Sequence, residues 1–394
     1  MDMSERHEGL SQVTQAGLVI ASAYSQVQNS GDMAAPFLQE SNFFWLTSVT
    51  LPSWKVIIDG RRKHVTLVRP VRTHIEEVFD GVADEAQLMN TSGADEVIDE
   101  KDFEPYLRRL ARDHALVYTP YAKKHYPFVQ NPAPAELHAQ LERIFPKVED
   151  CSRQLAELRA IKSDEEIASI RKAVKLTCKT LADVRQQLDQ YRHEYEIEAD
   201  MTRAFRMVNA KHAYEPIVAA GKNAVTLHYI ANSDAVKKTQ GVLIDVGARV
   251  DGYAADITRT YCTKPSKRLM RVHAAVEKAH GEIISLLKPG LLVAEYMAQV
   301  DEIMKDALQE VGLLKDRTDT ETYRTYFPHS ISHGLGIDVH DSLGAPRYFR
   351  SGMVLTVEPG IYIPEEGIGV RIEDDILITE SGHENLSGHL STAL

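Results

Sequence analysis

Cysteine is scarce in this chain: three residues in 394, Cys151, Cys178 and Cys262, set far apart with no CxxC pair. That spacing argues against a disulfide framework or a zinc-ribbon site and suits a reducing compartment. Long apolar runs are missing as well. No stretch of about 18 apolar residues occurs, so no membrane span is expected. The polar start MDMSERHEGL has no apolar segment of the signal-peptide kind. Positive charge is in deficit, with 45 Lys and Arg against 57 Asp and Glu and a formal net charge of −12. Such a surface argues against general nucleic-acid binding, because no broad face would neutralise phosphates. Short-period repeats and low-complexity tracts are also absent. These absences predict a cytoplasmic protein without nucleic-acid or membrane partners.

What is present is ordinary globular composition, 43% hydrophobic and 26% charged. At this length two domains are the default. The first part reads as a mixed α/β unit, with a helix over 11–27 and short buried strands at 43–46, 55–58, 65–68 and 116–118. Turn signals in NPAPAELHAQ from Asn131 and at Pro146 lead to a boundary near 150–158, giving domains 1–152 and 153–394. Ser163 and Glu166 then form a capping box. Ile167, Ile170, Val174, Leu181, Val184 and Leu188 follow at helical spacing, and Ile197, Met201, Phe205 and Val208 mark a second helix. Two more helices are expected over 267–287 and 293–312. Strand-like runs cover 242–247, 252–261, 353–359 and 369–379. The order, helix pair then strand pair, occurs twice and suggests a duplicated α+β core.

Four acids stand inside those strand-like runs, where charge is costly unless paired or metal-bound. Asp245 and Asp256 lie 11 residues apart across a hairpin whose turn holds Asp251-Gly252. Glu358 and Glu373 repeat the arrangement 15 residues apart. Four converging carboxylates repel one another and raise their own pKa values, a conflict that two divalent cations relieve. An imidazole is available from HSISHGLGIDVHD, which carries His329, His333 and His340. Oxygen donors with one histidine suit manganese, cobalt, iron or zinc. Two such metals, about 3.5–4 Å apart, can share a hydroxide as the nucleophile for an amide. His329 and His333 are four apart, but no HExxH occurs and Gly334 and Gly336 oppose a helix, which removes the zincin alternative.

The segments LIDVGARVDGYAADITRT, HSISHGLGIDVHD, TVEPGIYIP and GVRIEDD resemble those of the pita-bread metallopeptidases. Within that superfamily they are similar to aminopeptidase P and prolidase. LRAIKSDEEI at 158–167 resembles the start of the catalytic domain, and GDMAAPFLQESNFFWLT at 31–47 resembles the N-terminal domain. The resemblance implies an α+β protein: an N-terminal α/β domain of creatinase/prolidase type, concerned with oligomerisation and substrate length, then a pita-bread catalytic domain. It implies that Asp256 and Glu373 bridge two metals, manganese first among the candidates. Asp245 would ligate one metal, and His333 with Glu358 the other. Glu358 would also carry a proton to the leaving proline nitrogen. His228 in TLHYIAN and His340 match substrate-side histidines, Arg371 matches an arginine beside the bridging glutamate, and His329 matches a histidine at the pocket mouth. Tyr362 and Trp45 could line a proline pocket, although core packing suits both, and Cys262 is expected buried rather than reactive. Ser330 and Leu38 depart from the pattern, where glycine and arginine are common; neither is a ligand.

The implied substrates are proline-containing peptides, and the implied assembly is a homodimer or higher homo-oligomer. A bond before proline lacks an N–H and has a fixed φ, so it calls for a dedicated pocket. Aminopeptidase P, acting on longer peptides, and prolidase, acting on dipeptides, share these motifs. A metal-free creatinase-like hydrolase or a non-catalytic binding module would have lost ligands, and none is lost here.

Overall fold

A computed structural model describes residues 3–121 and 129–394; the first two residues of the polar start lie outside the described residues. The chain divides into two compact units, Met1–Arg159 and Ala160–Leu394.

The first unit is built on a six-stranded mixed sheet in the order Glu96–Asp99, His64–Arg69, Lys55–Asp59, Leu18–Ser22, Leu116–Thr119, Lys147–Asp150. Leu18–Ser22 pairs antiparallel with Lys55–Asp59 and parallel with Leu116–Thr119. Three of the expected strands are found where the short apolar runs placed them. Three expectations are corrected. The helix expected over 11–27 ends as Met3–Val13, and Gln15 and Ala16, both at φ 56, turn the chain into the fully buried strand Leu18–Ser22. A five-residue apolar run covered on both faces has no period to tell strand from helix. The strand expected at 43–46 is instead part of helix Ser41–Thr47, started by the Glu40 carboxylate accepting the Phe43 N–H at 2.6 Å. Trp45, on this helix, is buried with the Arg6 guanidinium 5.3 Å from its ring centroid, a core position within this unit. The stretch after Asn131, read as a turn, opens helix Ala133–Glu142, because Pro134 lies in a first turn that needs no proline N–H.

In the second unit the Ser163–Glu166 capping box starts helix Asp164–Gln186, which buries Ile170, Val174, Leu181 and Val184. Helix Glu194–Arg206 buries Ile197, Met201 and Phe205. Val208 was expected on that stripe but lies past the helix end and is exposed, since Asn209 at φ 58 turns the chain away. Helices Lys267–Leu286 and Val293–Glu310 pack through Val276, Ile283, Val300 and Met304 into a core shared with Leu355, Ile361 and Ile376. Among the described residues no helix is long and apolar enough to cross a membrane.

Two broken hairpins position the acids. In the first, Val242–Val246 pairs with Ile257–Tyr261 and Ala248–Val250 with Tyr253–Ala254. Asp251 (φ 51) and Gly252 (φ 87) make its turn, the paired positive-φ geometry that matches strand twist. In the second, Val354–Val357 pairs with Asp374–Ile378 and Gly360–Ile363 with Ile368–Arg371. The strands expected to run unbroken through 252–261 and 369–379 are therefore each split, and Asp256 and Glu373 stand at the splits. The first split depends on Gly247: a Cβ there would sit 1.7 Å from the Ala255 carbonyl oxygen.

Candidate metal centre

Asp245 is aimed by the ladder that carries it, and the other three acids by backbone bonds at the breaks and ends of their strands. Asp245 faces Thr258 across the first hairpin, and the Glu373 N–H donates to the Thr258 carbonyl at 3.0 Å, joining the two hairpins. Thr258 Oγ1 donates to Glu373 Oε2 at 2.6 Å. The Asp256 N–H donates to Asp375 Oδ2 at 3.1 Å. On the far wall, the Glu358 N–H donates to the Ile331 carbonyl and the Thr356 N–H to the His333 carbonyl, at 3.0 and 2.9 Å. This ladder brings His333 Nε2 to 3.5 Å from Asp256 Oδ2 and 3.6 Å from Glu358 Oε1.

Three overlapping sets of donor atoms result, each with all atoms within 4.8 Å of one another: Asp245, Asp256 and Glu373; His333, Glu358 and Glu373; Asp256, His333 and His340. Glu373 belongs to the first two sets, Asp256 to the first and third, and His333 to the second and third. His333 Nδ1 lies 3.0 Å from the Gly334 carbonyl. With Nδ1–H donating there, the lone pair is on Nε2, which faces the acids.

The electrostatics of the site are those of buried acids that outnumber the cations facing them, Arg371 and His333. Burial, followed by the neighbouring acids, pushes the Glu373 carboxyl well above the usual range. Burial raises Asp245 although Arg371 opposes the shift. Glu358 stands at about 7, raised by burial against the pull of His333 and Arg371. Burial pulls His333 down, but the hydrogen bond and charge of Asp256 and the charge of Glu358 outweigh it and lift the imidazole to about 9. Hard carboxylate oxygens with one oriented imidazole fit divalent cations, which replace the protons these groups otherwise hold.

Around the donors, the Arg371 guanidinium pairs with Asp245 and donates to Thr258 Oγ1 at 3.0 Å and to the Tyr362 hydroxyl at 2.9 Å. Tyr362 was expected chiefly in the core. Its ring packs with Ile217, Ala219 and Leu243, but its hydroxyl also lies 2.9 Å from His329 Nε2. His329 is held to about 4, first by burial and then by Arg371, so its imidazole is neutral at pH 7. Its Nδ1 lies 2.7 Å from the Ser330 carbonyl and 3.5 Å from Glu358 Oε2. The exposed His340 ring centres 4.3 Å from that of His333. His228 is exposed and joins none of the three donor sets. Cys262 is buried, with its thiol pushed up by burial. Leu38 is exposed in the first unit. Sequence reasoning missed Tyr214, whose hydroxyl contacts both Asp245 and Asp256, and Asp375. Tyr214 is remote from every motif strand and gave no signal; Asp375 was hidden in the acidic run Glu373-Asp374-Asp375.

Residues 168–380 match the model of metallopeptidase family M24, and residues 3–118 match that of the aminopeptidase P N-terminal domain. A Xaa-Pro aminopeptidase of Escherichia coli (strain K12) is 31% identical, covering 98% of this chain and 94% of its own. A Xaa-Pro aminopeptidase of Haemophilus influenzae is 32% identical over 92% and 89%. Among solved structures, proline aminopeptidase P II from Yersinia pestis superposes with a TM-score of 0.87 at 30% identity, covering 100% of this chain and 97% of that one. These likenesses bear out the resemblance and the expected α+β class, an N-terminal α/β domain followed by a pita-bread domain.

Proposed function

This chain belongs to metallopeptidase family M24, and on that footing we propose that it hydrolyses the Xaa-Pro bond at the N-terminus of peptides. It is a metallo-exopeptidase; the aminopeptidase P reading is favoured over prolidase by the relatives named Xaa-Pro aminopeptidase that match it over nearly their full length. The observation that carries the proposal is the convergence of Asp245, Asp256, His333, Glu358 and Glu373 into donor sets that share Glu373 and Asp256.

In this reading Glu373 and Asp256 would be the carboxylates common to two cations, Asp245 would help hold one of them, and His333 with Glu358 the other. When bound, two divalent ions supply a water ionised near neutral pH and a Lewis acid toward the scissile carbonyl. The chain's own groups do the rest. Glu358, whose N–H is held by the Ile331 carbonyl, takes a proton from the water whose oxygen bonds to the scissile carbonyl carbon and returns it to the proline nitrogen as the C–N bond breaks. That nitrogen needs the proton because an amide anion is too basic to leave. His340, beside His333, donates toward the carbonyl oxygen as negative charge develops there. Arg371 holds Asp245 and faces Tyr362, keeping the carboxylate charge oriented. His228 and His329 bound the substrate side.

Manganese is the proposed metal because the donor set is oxygen-rich; cobalt, iron and zinc are the alternatives. Residues 1–152 are proposed to serve oligomerisation and substrate-length control, in a cytoplasmic homodimer or higher homo-oligomer, with the catalytic domain over 153–394. The test compares an Xaa-Pro dipeptide with an Xaa-Pro-Yaa tripeptide after manganese loading. Cleavage of the tripeptide is expected. Cleavage of the dipeptide alone would mean prolidase, and undiminished activity after verified metal removal would overturn the metal-dependent reading.

A further inference from the structure

Helix Glu194–Arg206 begins with a carboxylate that is fully buried. Such a group is costly unless hydrogen-bonded, and this one is saturated. Oε1 accepts the Ala220 N–H at 2.7 Å and the Asn223 amide at 3.0 Å. Oε2 accepts the Asp234 N–H and the Tyr229 hydroxyl, both at 2.8 Å. The Glu194 N–H returns a bond to the Asp234 carbonyl at 3.0 Å. Ala220 and Asp234 are the two ends of one loop, so a single carboxylate closes residues 220–234 into an Ω-loop.

The loop is shaped to be closed there. Gly221 (φ +57) and Asn232 (φ 43) bend its two ends through the left-handed region. The Asn232 side chain accepts the Val218 N–H at 2.9 Å and donates to the Pro216 carbonyl and to Glu198, one helical turn beyond Glu194. Inside the loop, Leu227 and Tyr229 pack on the cluster that contains Tyr362. His228 stands exposed between them.

We propose that Glu194 is a positioning residue for substrate binding, closing the 220–234 loop so that His228 is held at one place beside the donor cluster. The proposal rests on the reading of His228 as a substrate-side residue. A glutamate whose only work is to stabilise the fold would move unfolding and every kinetic constant together. A positioning role acts through His228 alone.

The experiment is a double-mutant cycle on the manganese-loaded enzyme, with amide exchange measured in parallel. Glu194→Ala is expected to speed exchange over 221–233 about tenfold or more and to raise KM for an Xaa-Pro-Yaa peptide about tenfold, with manganese affinity within about twofold of wild type. Glu194→Gln, which keeps one accepting oxygen, recovers part of both. In a His228→Ala background Glu194→Ala adds less than about twofold to KM, because the residue it positions is gone. If Glu194→Ala fails to fold, Tyr229→Phe removes one of the four donors and carries the same expectations at smaller size. Additive KM effects, or unchanged loop exchange, overturn the proposal. His228→Ala with wild-type KM also overturns it by removing the substrate role of His228, and the loop exchange then still reports whether the closure itself is real.

Discussion

The Arg259 guanidinium donates to the main-chain carbonyl of Glu373 at 2.7 Å, so a fully buried cation behind the site holds the backbone of an acid in front of it. Arg259 also pairs with the buried Asp374 at 2.6 Å and donates to the Leu390 and Ser391 carbonyls, each at 3.2 Å. From the other hairpin Asp375 holds the Asp256 N–H. The two carboxylates that belong to more than one donor set are thus each fixed through their backbone by a residue of the opposite hairpin.

Removing Arg259 leaves Asp374 buried without its cation. Arg259→Ala is expected to lower stability by about 3–5 kcal/mol in urea unfolding, the scale for breaking a buried pair from one side. Arg259→Lys loses the fork that bonds the Thr258 and Glu373 carbonyls through Nη1 and Asp374 through Nη2 and is expected to weaken manganese binding more than it weakens the fold. A loss below about 1 kcal/mol for the alanine variant would count against this account.

Asp256→Ala and Glu373→Ala each delete a carboxylate shared between donor sets. Turnover is expected to fall at least about 100-fold in either variant, the scale of lost metal-site groups. Metal loading should raise the melting temperature of the wild type, because a cation relieves acids that repel one another; Glu373→Ala should lose that gain. Near-native rates, or a wild-type thermal shift, would remove the bridging assignment.

Gly247 and Gly281 make a matched pair of tests. Gly247→Ala places a methyl against the Ala255 carbonyl beside Asp256, with 1.7 Å between the atoms, so the hairpin must open. A loss of about 3 kcal/mol or more is expected, together with weaker metal binding. Gly281 lies in helix Lys267–Leu286 with no atom within 4 Å of an added Cβ, so Gly281→Ala should stabilise by about 0.5–1 kcal/mol. Equal effects from the two substitutions would contradict the close approach at Gly247.

Acid sensitivity should come partly from His273 and His280, both buried on that same helix and both held below the ordinary imidazole value, first by burial. A lowered folded-state pKa on a base means that stability is complete above the unfolded value, about 6.5, and is lost as the pH falls through the folded value. The His273→Gln, His280→Gln double variant should therefore show a shallower loss of stability as the pH falls below about 6.5 than wild type, measured by urea unfolding at each pH. Parallel pH profiles would show that these histidines do not titrate with unfolding.

The acids Asp245, Asp256, Glu358 and Glu373 could be singled out in sequence because each stands in an apolar run where an uncompensated charge is costly. Ser163 with Glu166, the helical stripes and the Asp251-Gly252 turn were legible for a similar reason: each is a local rule acting within a few residues. The segments at 18–22 and 43–46 were not, because a short apolar run carries no period, and burial on both faces or a single Glu40 cap decided between strand and helix. Tertiary structure alone decided what joins the hairpins. The bonds from Arg259 to Glu373, from Asp375 to Asp256 and from Tyr214 to Asp245 and Asp256 span 31 to 119 residues. The bonds that close the His228 loop on Glu194 span 26 to 40. Contacts over such separations depend on where strands break and twist, a property of the packed chain that no local pattern encodes.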